Sequence, residues 1–148
     1  MSTPFPHIAC CVDDSDASRG ALELARQLRA PAGRLSVVHV APRPLLFVEG
    51  PDGEEVPDPH DVWSRSGRWL RRVARADEEA VLLAGDPTTA VVDWACDAGV
   101  DLLVAAAHRS RVERALLGSF AAHLAYHAPC AVLLARPPRP RVASLSDR

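Results

Sequence analysis

Two stretches of this chain hold residues able to grip a charged ligand. The first is Asp13-Asp14, directly after the apolar run "HIACCV" (7–12), where two carboxylates stand side by side. The second is "AAAHRSRVERALLGS" (105–119), in which His108, Arg109, Arg111 and Arg114 crowd a segment that ends in Gly118-Ser119 at the start of a helical pattern. Backbone N–H groups and a hydroxyl at a helix N-terminus make an anion site. Phosphate loops also use glycines, which permit positive φ and let backbone N–H groups approach phosphate oxygens with no Cβ between. This loop has none before Gly118. Its cations can replace part of a backbone cradle, or they can pair with Glu113 in a solvated loop, and both readings stay open. Asp13 to Asp16 are equally suited to turn and helix-cap chemistry. As a ligand pair, Asp13 and Asp14 repel phosphate unless Mg2+, which prefers hard oxygen donors, bridges them.

Other residues with chemical potential lack the company they need. His123 and His127 are four apart and share a helix face, the spacing of a two-histidine metal clip. No glutamate adjoins the first histidine and no third ligand is evident, so a surface or dimer contact is expected and no metal site. Ser110 and Ser119 sit in no G-x-S-x-G elbow. No residue reads as a general base able to reach an attacking water, which points to a binding module whose hydrolysis of any nucleotide is slow. Cys10, Cys11, Cys96 and Cys130 form neither a CxxC nor a zinc spacing and read as buried thiols, the first two on opposite sides of a strand. Trp63, Trp69 and Trp94 read as packing residues rather than base-stacking platforms.

The elements that must position these groups alternate between strand-length apolar runs and helical periods, the pattern of βαβ units around a parallel sheet. "HIACCV" is the first strand, "RLSVVHV" (34–40) the second, "EAVLLAG" (79–85) the third, "VDLLVAAA" (100–107) the fourth and "CAVLLAR" (130–136) the fifth. Between them, "DASRGALELARQLRA" carries a stripe at Ala21, Leu22, Ala25 and Leu28, with Asp16 or Ser18 as cap. A second helix resumes through Val62, Trp69, Leu70 and Val73. The third, "TTAVVDWACDAG", opens at Pro87 behind an Asp86 cap and stops at Gly99. The fourth lies within "ERALLGSFAAHLAYHA". Five strands joined by right-handed crossovers give a three-layer, doubly wound α/β sandwich. Its ligands bind beyond the carboxyl ends of the strands, at Val12-Asp13-Asp14, His39-Val40, Gly85-Asp86 and Ala106-Ala107-His108.

With 148 residues the chain suits a single domain, here 1–137, followed by a loose tail at 138–148. Residues 41–61 hold five prolines and two glycines, so 41–60 reads as an irregular excursion, lying over the pocket or along the surface. A net charge of -2 with 48% apolar and 24% charged residues is ordinary globular composition and gives no footprint for nucleic acid. No signal-peptide pattern or membrane-length apolar run is present, so the expected location is the cytoplasm, with no membrane partner.

The segments "CCVDDSDASRGALELARQLRA", "LSVVHV", "AGDPTTAVVDWACDAGVDLLVAAAH" and "LLGSFAAHLAYHAPCAVLLAR", in this order, resemble the universal stress protein family over nearly the whole chain except the excursion and the tail. The resemblance implies a Rossmann-like, adenine-nucleotide-hydrolase-like sheet in order 3-2-1-4-5 and dimerisation through the last strand, Cys130 to Ala135. In one branch of the family it also implies binding of ATP or another adenine nucleotide through G-x-x-G-x9-G-[ST]. On that motif, Ala105 and His108 replace the two leading glycines while Gly118 and Ser119 keep the last two positions. The pocket implied by the likeness is formed by Asp13, Val40, Ala105, His108, Gly118, Ser119 and Phe120, with Arg109 beside it. Two functions follow: a stress-response module that binds nucleotide weakly, or a dimeric scaffold whose pocket has lapsed.

Overall fold

The computed structural model describes residues 4–41, 59–107 and 118–136. Five strands form one parallel sheet: β1 (His7–Cys11), β2 (Arg34–Ala41), β3 (Glu79–Ala84), β4 (Leu102–Ala106) and β5 (Ala131–Ala135). Their order is β3-β2-β1-β4-β5, with Ile8 registered between Leu35 and Leu102. Helices α1 (Asp16–Leu28) and α2 (Pro59–Val73) cover one face, and α3 (Pro87–Ala98) and α4 (Ser119–His127) the other.

Strand side chains alternate between faces, and the core divides accordingly. Ile8, Cys10, Val37 and Val104 pack with Ala21, Leu22, Ala25 and Leu70 on the α1/α2 side. Ala9, Val38, Leu103 and Ala105 pack with Val91, Ala95 and Leu124 on the α3/α4 side. Cys10 and Cys11 do fall on opposite faces, but the reading of all four cysteines as buried fails at Cys96, which is exposed on α3, while Cys11 and Cys130 are half-buried. Leu28 also departs from its expected stripe: in the last turn of α1 it has passed the sheet and is 43% exposed.

Local signals set the helix ends. Asp86 accepts from the Thr89 N–H at 3.1 Å, Pro87 follows in the first turn, and Gly99 closes α3 at φ 64°, a left-handed position that suits glycine. Ser15 caps α1, in place of Asp16 or Ser18: its Oγ accepts from the Ser18 N–H at 3.2 Å. The excursion expected over 41–60 is bounded more tightly, because β2 runs through Ala41 and α2 opens at Pro59; residues 42–58, like the tail at 138–148, lie outside the described residues.

Candidate functional site

Between β1 and β4 the strand order reverses, and the chain leaves the two strand ends in opposite directions. A crevice opens at such a point because neither crossover covers it. Here it is a cavity of about 220 Å³ whose lining brings together Asp13, Val40, Ala105 and Phe120 with Cys11 and Pro87. A second cavity of about 490 Å³ shares Asp13, His39, Val40 and Pro87 and extends the cleft to Arg65 and Trp69 of α2. Both are within or near the size range of small-ligand sites, and the inner one has room for a planar ring system rather than a whole nucleotide.

Asp13 is held by the turn that starts α1. Its N–H donates to Ser18 Oγ at 2.9 Å, and its Oδ1 accepts from the Ser15 N–H at 2.9 Å and the Ser15 hydroxyl at 2.5 Å. The backbone amide and the carboxylate of Asp13 are thereby both engaged within the chain, at the lining of the cleft. Ser18, read from sequence as a cap candidate, is 2% exposed and serves as the acceptor that fixes this turn.

His39 is a site residue that sequence reasoning placed at a strand end without giving it a role. Its Nδ1 lies 2.8 Å from the Val12 carbonyl oxygen. A carbonyl only accepts, so Nδ1 carries a proton and donates it. The imidazole meets Trp69 edge-on, with centroids 4.8 Å apart, which joins α2 to the cleft wall. Its position after an apolar strand was a signal; the ring's contact with α2 was not readable, because that depends on how the helix packs. Trp69 and Trp94 are partly buried packing residues as expected, whereas Trp63 is 46% exposed.

Burial pushes the Cys11 thiol up to about 12, with Cys130 adding to the rise, so it stays protonated at neutral pH. Ala105 lies inside β4, and no non-glycine described residue has positive φ, so alanine at this motif position carries no backbone strain. Gly118 is the N-cap of α4, and among the described residues no side chain caps the first N–H groups of the helix, beside Ser119 and Phe120. Gly118 and Ser119 flank the cleft through Phe120 rather than lining it. His108 and Arg109 lie outside the described residues. The rings of His123 and His127 are 4.5 Å apart on α4, and no group of three or more potential ligands able to hold a metal occurs among the described residues. No helix among those residues is long and apolar enough to cross a membrane.

Known proteins fit this architecture. A family model described as the universal stress protein family matches residues 4–136. Comparison with curated protein sequences gives no match. Among solved structures, the chain is similar to the universal stress protein UspA from Lactobacillus plantarum, at 20% identity and a TM-score of 0.61 over 88% of this chain and 97% of that one. A universal stress protein from Archaeoglobus fulgidus shares 24% identity, with a TM-score of 0.58 over 88% and 97%. A universal stress protein solved in complex with cAMP shares 20% identity, with a TM-score of 0.59 over 88% and 97%. At these identities the likeness is one of fold.

Proposed function

The chain belongs to the universal stress protein family, and on that premise we propose that it is a small cytoplasmic stress-response module that binds ATP or a related adenine nucleotide weakly, without efficient turnover. The observation that carries this reading is the cavity at the β1/β4 split, where Asp13, Val40, Ala105 and Phe120 converge. Val40 and Phe120 offer apolar contact to a base, and the Asp13 carboxylate, oriented by Ser15, is an acceptor for ribose hydroxyls. The start of α4 at Gly118-Ser119 suits phosphate. His108 and Arg109, between β4 and α4 in the sequence, are the candidates for further phosphate contacts. Were Mg2+ to accompany the phosphates, Asp13 and Asp14 would offer it carboxylate oxygens and it would offset their repulsion of phosphate. That a relative of the same fold is solved with cAMP supports an adenine ligand.

One observation favours a second reading, a dimeric scaffold. β5 is an edge strand whose Val132, Leu133 and Leu134 are only half-buried, and an apolar edge invites pairing across a two-fold axis. A homodimer through Cys130 to Ala135 is compatible with both.

Calorimetric titration with ATP and Mg2+ separates them. The nucleotide reading expects micromolar binding to the native protein and at least a tenfold loss in Val40→Trp, which fills the inner cavity. Binding seen only after Ala105→Gly with His108→Gly, or not at all, leaves the scaffold.

A further inference from the structure

At the opposite edge from β5, no strand among the described residues pairs with the outer side of β3. Its sequence, "EAVLLA", has no proline and only one charge, at its start, so little discourages a further strand. On the side shared with α2, Ala80 and Leu82 floor a groove of about 580 Å³, walled by Trp63 and Gly67 and rimmed by Arg68 and Arg71. Three features set this groove apart from ordinary surface. Trp63 is the exposed tryptophan of the described residues. Arg68 and Arg71 make no ion pair or hydrogen bond among those residues, whereas Arg19 and Arg26 of α1 are both paired with carboxylates. Gly67 sits inside a helix, where glycine costs about 1 kcal/mol relative to alanine.

Neither conformation nor crowding demands that glycine. Its φ is not positive, and a Cβ built there would lie 3.6 Å from Leu82 Cδ2 and 3.7 Å from an Arg71 nitrogen, ordinary contact distances. What glycine leaves is a gap over Leu82. An open strand edge takes an extended backbone, unpaired guanidinium groups take carboxylates, and the gap takes one apolar side chain. We propose that this groove binds an extended acidic segment of a partner protein, added as a strand beside β3, with its carboxylates on Arg68 and Arg71 and an apolar side chain over Gly67 against Trp63 and Leu82. A second copy fits worse: two-fold pairing through β3 would bring the same arginines of the two α2 helices toward one another.

The test is fluorescence anisotropy with a labelled peptide of alternating glutamate and valine, its lysine-for-glutamate counterpart, and a version N-methylated at alternate residues, all without nucleotide. The acidic peptide is expected to bind in the micromolar range at low salt, with at least tenfold weakening in Arg68→Glu/Arg71→Glu, in Gly67→Leu and for the N-methylated peptide. Gly67→Ala, which fills little of the gap, should retain binding. Failure of the acidic peptide to bind at millimolar concentration overturns the proposal, as does undiminished binding to the double arginine variant. Concentration-dependent self-association abolished by Gly67→Leu would assign the groove to a second copy instead.

Discussion

At the N-terminal ends of the strands, His7, Ser36, Glu79 and Arg34 form a closed chain of contacts; at the C-terminal ends, Asp13 and His39 border a cleft. His7 Nε2 lies 2.8 Å from Ser36 Oγ, which donates to Glu79 Oε2 at 2.7 Å, and Arg34 reaches the same oxygen at 3.1 Å. Because the serine gives its proton to Glu79, Nε2 is the donor of the histidine, and the buried Nδ1 has no hydrogen bond of good geometry among the described residues. Nearby, Arg26 grips Glu78 at 2.7 and 2.8 Å, with the carboxylate side chain fully buried, and also reaches the Val73 carbonyl at 3.0 Å. This ties α1 to the turn between α2 and β3. At the other end, carboxylates and rings are oriented by neighbours yet still face open space. One sheet thus carries two kinds of polar group: those buried with their partners hold the chain together, and those at the other end are held by neighbours at the border of a cleft.

The largest break in this contrast is expected at Arg26. Arg26→Ala leaves Glu78 charged and buried, and uncompensated buried charges cost about 3 kcal/mol or more. Urea unfolding should show that loss while nucleotide titration of the folded protein stays unchanged. A change in binding comparable to the native affinity would blur the division between the two ends.

A smaller effect is expected at Ser15. Ser15→Ala removes the α1 cap and the hydroxyl donor to Asp13 Oδ1, while the backbone N–H donor stays, costing about 1 kcal/mol of stability. In the proposed reading it also weakens nucleotide binding, because the carboxylate is then held by one donor instead of two. Equal calorimetric affinities for native and variant protein would remove Asp13 from the ligand contacts.

The finest test is one of sign. Burial, and then Arg34, hold the His7 imidazole below its ordinary 6.5 despite opposing carboxylates. The unfolded chain therefore binds the proton more readily, so stability falls as pH drops from about 6.5 toward the folded value. Urea midpoints should decline over that window, and His7→Leu should flatten the decline. Glu78 acts lower on the scale: burial raises its carboxyl, but the Arg26 guanidinium and the Arg75 N–H outweigh this and leave it below the usual 4.5. Its contribution is present above that value and is lost as pH falls through the folded one.

Much of this frame was legible in the chain. Pro87 behind Asp86 and the stop at Gly99 mark α3 because they act through their own backbone. The cap of α1 was less legible, since "DDSDAS" offers several side chains able to accept from a helix N-terminus and only the chain's path selects Ser15. Cys96 misled because thiols usually pack as small apolar groups, yet its side of α3 faces away from the sheet. Asp13 and Val40 were recognisable as cleft residues from their places at strand ends, and Ala105 and Phe120 from the resemblance to the family. His39 and Trp69 needed the packed molecule, because their roles lie in contacts between elements distant in sequence.

The sequence by itself determined the alternation of strands and helices, the two-faced core and the end of the sheet where a ligand belongs. Periodicity and turn chemistry are local, and the right-handed crossover rule turns them into a sheet with few alternatives. Only the tertiary structure decided which polar groups are buried with their partners and which border a cleft or groove. That distinction separates Glu78, locked by Arg26, from Asp13, held by Ser15 at the cleft, and Arg71, without an ion pair among the described residues, from paired Arg26. Identical residue types acquire different chemistry because burial and hydrogen-bond partners come from segments that the chain brings together only on folding.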